Sequence, residues 1–585
     1  MVREIITLQN GRYSNFVGTH FWNIQESSFE YSGDSSQPEI EHDVLFREGK
    51  NLLREVTYTP RLVVIDLKSN LGCLPLEGTL YPTPAHQNGG SEIPTWGDGV
   101  EVVEASRSKK NEFIKDLELE EQKYYQATNG VEKSNEKNEK QIKAKTYKLE
   151  DKVKTWSDFK RLHFHPRSIL TLNEEDDSFT SWSGGFEHGK YISYQVEDLV
   201  RVYAEECDNM QGFQVMSDVN NGFGGVLTSL MEYLSDEFRG KGLVVYPMLP
   251  VRNEKTATKV RSSSLATLLS LSESLKLSTL VAPMSLNSDI FRQNPRKREF
   301  PRLIYDATCD YHTSSILATA LESITRVHRC HTDPQSLSNI SQQLSIGSQK
   351  LVSTGAAIPI PFSSNYSCLP DMLCDHLDKS LWTSLTPCVD DAKSKGDVVD
   401  RCFSQSLSIN GFPPSAATAS TTHPEYNISQ IHQCTNLTSV LKLYLEGKYV
   451  DSSSVVSVQR TPIKVDTPFP QIFHSSLTST GFPRQDLTDK FHNKNLSVLP
   501  NGKSPVFSNL DSPVMTNVES LPVLTNVMNS NSISSLLQKC CTRAKQLHRS
   551  RHCYTDNERE TLDEAIDYYI TMNEEYSSFL SDGSD

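Results

Sequence analysis

The spacing of apolar residues at the start of the chain is typical of an α/β fold. Residues 3–9 (REIITLQ) form a short strand-like run, and Asn10-Gly11 follows as a turn signal. Residues 16–22 (FVGTHFW) have helical spacing, and residues 57–67 (TYTPRLVVIDL) end in a continuous apolar run with an acid near its close. Such a run is expected of a buried parallel strand. A strand, a turn, a helix and a second buried strand predict the opening of an α/β sheet.

The middle of the chain repeats this alternation, which favours a doubly wound, mostly parallel sheet. Within residues 194–210 the apolar residues recur at helical spacing, so this segment is predicted to be an amphipathic helix. The predicted elements that follow are strands at 213–216, 242–249 and 279–284, helices at 227–238 and 263–275, and a glycine-containing loop at 222–225.

Charged and polar residues dominate the rest of the chain. Glu101–Lys154 is dense in Lys and Glu, which predicts a solvated helix or a disordered insertion. After residue 330 the periodicity weakens, and the apolar island 440–445 fits either a strand or a helix. A helix is predicted over residues 557–579, where Thr555 and Glu558 form a capping box. These patterns divide the chain into a first part of an α/β domain (1–72), a charged, partly disordered insertion (73–156), the remainder of that domain (157–330), a second α+β domain with long loops (331–545), and a C-terminal helix with an acidic tail (546–585).

Composition narrows the classes of function. The formal net charge is −15 and the pI is about 5.6, and an acidic chain disfavours nucleic acid, which is bound through Lys and Arg. No apolar run approaches the roughly 20 residues needed to cross a bilayer, and the N-terminus is not a secretory signal. The twelve cysteines show no CxxC pair and no metal-ligand spacing. We therefore expect a cytosolic chain, or one peripheral to a cytosol-facing membrane, with protein partners and no metal site.

Several motifs occur in the order found in tubulins. A tubulin strand ends in Ile-Gln before a Gln-Cys-Gly-Asn turn and a Gly-x-x-Phe-Trp helix, and a later strand reads Pro-Arg-x-x-x-x-Asp-Leu. Further tubulin motifs are a Gln-Gly-Phe junction, a Thr-Ser-Leu-Leu-Met-Glu-x-Leu helix, a Pro-Tyr-Pro hinge and an acidic C-terminal helix. The similar segments here are Leu8-Gln9, Asn10–Asn15, Gly18–Trp22, Pro60–Leu67, Gln211–Phe213, Leu227–Leu234, Pro359–Pro361 and Asp556–Asp585.

Two of these features resemble the Misato branch of the tubulin superfamily in particular. They are the segment at residues 57–67 and the motif His165-Pro166-Arg167-Ser168-Ile169, which follows the charged insertion. The resemblance implies a tubulin-like α/β fold. It also implies a role in mitochondrial distribution and morphology, in some members together with mitotic microtubule organisation. Members of this family are cytosolic or peripheral to the mitochondrial outer membrane.

The resemblance further implies a degenerate nucleotide site with GTP as its candidate cofactor. Tubulin cradles phosphates with a Gly-Gly-Gly-Thr-Gly-Ser-Gly loop at a helix N-terminus, and the aligned stretch here is Val219–Gly225. Gly222, Gly224 and Gly225 remain, whereas Val219 and Phe223 are expected to crowd a phosphate. Residues 178–189 resemble a second phosphate loop that has lost its amide side chains.

The other candidate residues of this site are Gly11, Arg12 and Asp66. Arg12 replaces a tubulin glutamine beside the phosphates, where it would either hold phosphate or pair with Asp66. Asp66 matches an acid near the tubulin magnesium site, but Lys68 replaces the next acid and would repel a divalent ion.

Two hypotheses of function follow. The first is a non-catalytic interaction protein built on a tubulin-like scaffold, and the alternative is a divergent GTPase that hydrolyses GTP slowly. Hydrolysis in the tubulin lattice needs a glutamate whose aligned position lies near Val352, where the sequence reads Gln-Lys-Leu-Val-Ser. No catalytic residue is therefore assigned. A chaperone-linked adaptor in tubulin folding is a third hypothesis, which the sequence neither supports nor opposes.

Overall fold

A computed structural model describes most of the 585-residue chain. It describes residues 3–29, 38–50, 56–74, 109–128, 147–172, 177–252, 256–362, 366, 368–377, 379–390, 401–412, 430–484, 517–550 and 555–578. The helices are α1 (Arg12–Ser27), α2 (Glu112–Thr128), α3 (Trp182–Glu205), α4 (Gly222–Glu237), α5 (Ala257–Leu277), α6 (Asp310–Thr325), α7 (Leu337–Leu344), α8 (Leu369–Asp375), α9 (Leu437–Lys448), α10 (Ser534–Arg549) and α11 (Asp556–Ser578). The strands are β1 (Ile5–Asn10), β2 (Phe46–Lys50), β3 (Val56–Pro60), β4 (Leu62–Leu67), β5 (Ile169–Leu172), β6 (Gly212–Asp218), β7 (Gly242–Leu249), β8 (Leu280–Val281), β9 (Met284–Ser285), β10 (Ser353–Ala357), β11 (Thr383–Ser384), β12 (Cys402–Asn410), β13 (Ser453–Gln459), β14 (Ile463–Lys464), β15 (Ser520–Leu521) and β16 (Val523–Ser530).

The first domain is built on a parallel sheet with strand order β5-β4-β1-β6-β7-β8, in which β9 also pairs with β7. Alternate residues of β4 serve opposite faces. Leu62 and Val64 join the core formed with α1 and α6, whereas Val63 and Ile65 join the core formed with α3 and α4. Helices on both faces bury the inner strands β1, β4, β6 and β7, which is why these strands are mainly apolar. The predicted doubly wound, mostly parallel α/β sheet is confirmed.

The second domain contains a five-stranded sheet of order β11-β10-β16-β12-β13. Only the β12–β13 pair is parallel among its described pairings. The helix α9 packs on this sheet through Val440, Leu441, Tyr444 and Leu445, so the apolar island at 440–445 is helical. The predicted smaller α+β domain therefore follows the parallel sheet.

The last two helices pack together against α5. Leu562, Ala565 and Tyr569 of α11 are fully buried, and the Tyr569 hydroxyl donates to the Leu268 carbonyl at 2.6 Å. The predicted capping box is present, since the Thr555 hydroxyl accepts from the Glu558 amide at 3.3 Å and the Glu558 carboxylate accepts from the Thr555 amide at 3.4 Å. Among the residues that the structure describes, no helix is both long and apolar enough to span a membrane.

Several predicted elements differ from the structure. Helix α3 begins at Trp182, twelve residues before the predicted start, and the predicted loop at 222–225 is the first turn of α4. The predicted strand at 279–284 is two short strands, β8 and β9. The glycines of α3 and α4 suggested loops, but they serve close helix contacts that the sequence pattern does not reveal.

The charged insertion contributes to the core where it is described. Phe113 on α2 is 0% exposed and Trp156, near the end of the insertion, is 1% exposed. The main core also includes Tyr147 and Leu149. The prediction of a solvated or disordered segment is therefore wrong for these buried positions. The domain boundaries themselves stay predictions, and the rest of the insertion lies outside the described residues.

Helix α6 joins the two domains, and its end carries a buried charge cluster. Glu322 accepts from Arg326 Nε at 3.1 Å and from Arg329 Nη2 at 2.9 Å, and all three side chains are at most 1% exposed. Burial alone would raise the pKa of Glu322, but the two arginines outweigh it and lower the pKa. Arg326 also donates to Asn410 of β12, so the cluster links α6 to the second sheet.

Replacing Glu322 by Gln should lower the free energy of unfolding by about 3–5 kcal/mol, because two arginines then stay buried without a counter-charge. Denaturant unfolding of the purified chain measures this loss. Asp236→Asn is the matched control, because it removes the partner of Arg239 in an ion pair whose side chains are 77–80% exposed. An equal effect of the two substitutions would contradict the structural role of the cluster.

Candidate active site with an internal carboxylate

The predicted nucleotide residues meet at one edge of the parallel sheet. Strands β1, β4 and β6 are neighbours and end at Asn10, Leu67 and Asp218. Helix α1 starts directly after β1 and helix α4 directly after β6, so both helices begin at this edge. Ligands of doubly wound sheets bind at such an edge, and phosphates bind at such helix N-termini.

A carboxylate of the protein itself occupies the N-terminus of α1. Asp218 Oδ2 accepts from the Tyr13 amide at 3.0 Å, and Asp218 Oδ1 accepts from both the amide and the hydroxyl of Ser14 at 2.7 Å. Asp218 is 2% exposed. These amides belong to the first turn of α1, whose N–H groups have no partner within the helix. The donors that would otherwise meet a phosphate are therefore used by Asp218.

Gly11 lies directly against the Asp218 side chain. Its φ is +104°, and a Cβ at this position would lie 2.7 Å from the Cβ and Cγ of Asp218. Its amide donates to the Ile65 carbonyl at 3.0 Å. Gly11 is thus required for the approach of Asp218 as well as for the turn.

Asp66 is also fully engaged. It is 0% exposed and accepts from the Asn15 amide group and the Trp156 indole at 2.8 Å through Oδ2. Its other oxygen accepts from the Asn70 side chain at 2.7 Å and from the Leu67 amide at 2.8 Å. Burial raises the pKa of Asp66, and these hydrogen bonds partly offset the rise. A magnesium ion would have to displace at least one of these neutral donors.

The returning end of the insertion covers this edge of the sheet. Trp156 reaches Asp66, and Phe159, which is 0% exposed, packs 5.5 Å from the ring of Phe16 on α1. The side chain of Asp158 accepts from the Lys154 and Thr155 amides at 2.8 Å, which fixes the turn that presents Trp156. The insertion therefore returns to the core at the place where a nucleotide would lie.

Arg12 does not pair with Asp66. Its Nη1 donates to Asp310 Oδ2 at 2.5 Å and its Nη2 to the Lys154 carbonyl at 3.2 Å. Arg252 donates to the same Asp310 oxygen at 3.0 Å. Of the two alternatives for Arg12, the pair with Asp66 does not form, because α6 brings Asp310 to the start of α1. The other alternative, phosphate binding, stays a prediction.

The three retained glycines lie in tight packing contacts. A Cβ at Gly222 would lie 1.9 Å from the Phe179 carbonyl oxygen, and one at Gly224 would lie 2.0 Å from the Ser270 hydroxyl oxygen. A Cβ at Gly225 would lie 2.0 Å from the Trp182 carbonyl oxygen. Real Cβ atoms do not approach neighbouring atoms so closely. Phe179, α3 and α5 can therefore pack against this turn of α4 only because it carries glycines. This packing accounts for the glycines without a phosphate.

Neighbouring residues complete the first turn of α4. The Asn221 side chain accepts from the Phe223 amide at 2.9 Å and caps the helix. Val219 and Phe223 are buried in the core, where Phe223 packs 4.8 Å from the ring of Phe179. These two side chains, which were expected to crowd a phosphate, thus belong to the apolar core between the sheet and its helices.

An open polar cleft remains beside this site. It lies after β7 and at the start of α5, and Asn220, Arg252 and Arg292 line it with other residues. The six predicted residues thus lie at one edge of the sheet, next to this cleft. Sequence analysis did not assign Asp218, Trp156 or Asp310, although an acid at the end of a buried strand is a signal that could have identified Asp218.

Comparison with known proteins agrees with this architecture. A family model described as "Misato Segment II tubulin-like domain" matches residues 3–119. A second family model, described as "Tubulin domain", matches residues 146–330. "Protein misato homolog 1" of Danio rerio is 32% identical over 573 residues, covering 92% of this chain and 90% of the relative. The chain belongs to the Misato family. The Homo sapiens Misato relative of the same name is 32% identical over 81% of this chain and 84% of its own length. "Protein misato" of Drosophila melanogaster is 27% identical over 98% of each chain.

Gly225→Ala should destabilise this Misato-family protein in the absence of any nucleotide, by about 1–3 kcal/mol, because the added methyl group overpacks the contact with Trp182. The matched control is Gly447→Ala on α9, where nothing lies within 4 Å of the added Cβ. That substitution should stabilise the protein by about 0.5–1 kcal/mol. Thermal unfolding of both variants measures the contrast, and a neutral Gly225→Ala would contradict the packing role.

Asp218 should make stability depend on pH. Burial raises its pKa to about 6, although the hydrogen bonds from Ser14 and Tyr13 lower it. The folded state then binds a proton more tightly than the unfolded state, so stability rises as the pH falls through 6. Relative to Asp218→Asn, the wild type should gain about 1 kcal/mol between pH 7 and pH 5. Parallel denaturation curves test this, and a difference that does not change with pH would contradict it.

Proposed function

We propose that this protein is a non-catalytic member of the tubulin superfamily that acts through protein contacts and does not hydrolyse GTP. The observation that carries the proposal is the Asp218 carboxylate bound to the first turn of α1. A nucleotide phosphate would have to displace this carboxylate from the same amides. It would also place negative charge next to two buried acids, Asp218 and Asp66. Repulsion between these like charges disfavours the ionised form of each group.

Two further features support the absence of hydrolysis. Both oxygens of Asp66 already accept hydrogen bonds, and the Trp156 indole lies against one of them. Val352, which aligns near the water-orienting glutamate of tubulin, is fully buried and directly precedes β10 in the sequence. Phosphoryl transfer depends on positioned metal ions and a positioned nucleophile. At these two positions of the described chain, Asp66 is held by neutral hydrogen-bond donors and Val352 is apolar.

The resemblance to the Misato family extends the proposal to a cellular role. We infer that the protein acts in mitochondrial distribution and morphology, with a further role in microtubule or spindle organisation. In this role it is cytosolic and associates peripherally with the mitochondrial outer membrane through protein partners. The scaffold then matters for its surface, since a fold by itself does not carry an activity.

Calorimetric titration with GTP and magnesium, together with a phosphate-release assay, tests the biochemical part. We expect the wild type to show no binding at micromolar GTP and no release above background. Asp218→Ser removes the internal carboxylate and frees the Tyr13 and Ser14 amides, so this variant should bind GTP more tightly than the wild type. The control is Asp236→Asn, which removes an acid from the exposed end of α4 and should behave as the wild type does.

The alternative GTPase would give the opposite pattern. Micromolar binding by the wild type, with phosphate release that Arg12→Gln abolishes, would overturn the non-catalytic proposal. For the cellular part, depletion of the protein should disturb the mitochondrial network, and Arg12→Gln should restore it as well as the wild type does. A normal network after depletion would contradict the mitochondrial role.

A further inference from the structure

Three side chains of types that ligate metals lie together in the second domain, outside the sheet edge described above. Cys368 directly precedes α8, Asp371 lies in the first turn of α8, and His432 lies on a short 3-10 helix, Gln430–Gln433. The cysteine sulfur, a carboxylate oxygen and an imidazole nitrogen all lie within 4.8 Å of one another. Sequence analysis predicted no metal site, because the ligands come from two segments that only the fold brings together.

Rigid neighbours hold the two segments in place. Leu369 and Met372 of α8 are 0% exposed, and Ile431, next to His432, is 8% exposed. All three belong to one apolar core that also contains α9. Because Cys368 and Asp371 are three residues apart across the first turn of a helix, both side chains face the same neighbour. Packing therefore holds the two backbone segments that carry the three donors.

The geometry is close to that of a zinc site. His432 Nε2 and Asp371 Oδ1 are 3.1 Å apart. In a tetrahedral zinc site with metal–ligand distances of 2.0–2.3 Å, neighbouring donor atoms are about 3.3–3.6 Å apart. The sulfur lies at most 4.8 Å from the other two atoms, so it needs to approach them by about 1.2 Å at most to reach the longer of these separations. The side chains of His432 and Asp371 are 11% and 12% exposed, so an ion can reach them from solvent.

The chemistry of the donors selects the metal. A thiolate and an imidazole favour Zn²⁺ and other borderline or soft ions, whereas Mg²⁺ and Ca²⁺ prefer oxygen ligands throughout. We propose that Cys368, Asp371 and His432 bind one zinc ion, whose fourth position is taken by water or by a donor from a partner. The ion joins α8 to the Gln430–Gln433 turn and thereby stabilises the second domain, because it closes a long loop.

Metal analysis of the full-length chain, purified without a histidine tag or chelator, tests the proposal. We expect about one zinc ion per chain, as for a single site with three protein ligands. The Cys368→Ser/His432→Gln double variant should lose most of it. The matched control is Cys374→Ser, which removes a thiol from the same helix outside the cluster and should keep the zinc. Removing zinc with EDTA should lower the thermal midpoint of the wild type and of Cys374→Ser.

Cobalt substitution provides a second readout that needs no variant to fold. Co²⁺ added to the chelator-treated wild type should produce the ultraviolet charge-transfer band of a thiolate ligand and the visible bands of a tetrahedral ion. Absence of zinc together with absence of the cobalt thiolate band would overturn the proposal and leave an Asp371–His432 ion pair beside a buried thiol. Zinc that the double variant retains in full would overturn it as well.

Discussion

The hydrogen bonds between Asp218 and the first turn of α1 are the interaction on which the sheet edge depends. They join the end of the central strand β6 to the helix that follows β1, and they use the amides of Tyr13 and Ser14 that the helix itself leaves unpaired. A phosphate normally brings negative charge to this position from outside. Here the charge is part of the chain, so the edge is complete without a ligand.

The contacts of the surrounding residues are consistent with this internal carboxylate. Gly11 leaves room for the Asp218 side chain, and Trp156 closes over Asp66 with the returning end of the insertion. Arg12 turns to Asp310 on α6, which also carries the buried charges that reach the second sheet. The sheet edge is thus a junction between the first sheet, the insertion and α6. Its residues stabilise the fold through contacts within the chain.

The parts of the fold that depend on local pattern could be predicted from the sequence. The strands β1, β6 and β7 lie within two residues of the predicted segments, because buried parallel strands are mainly apolar. The Thr555–Glu558 capping box is equally local. From the sequence alone, the glycines of α4 suggested a phosphate loop. Their packing partners, Phe179 and Trp182, are brought to them only by the fold, so the sequence pattern could not reveal this role. The Arg12–Asp310 and Trp156–Asp66 contacts span long stretches of chain, so spacing alone could not show them.

The most direct test of this account is a crystal structure of the chain grown with millimolar GTP and magnesium. The account predicts that the Asp218 carboxylate accepts from the Tyr13 and Ser14 amides, that the Trp156 indole donates to Asp66, and that no phosphate lies at the N-terminus of α1. Electron density for a GTP phosphate on those amides, with Asp218 turned away and Trp156 withdrawn from Asp66, would contradict it.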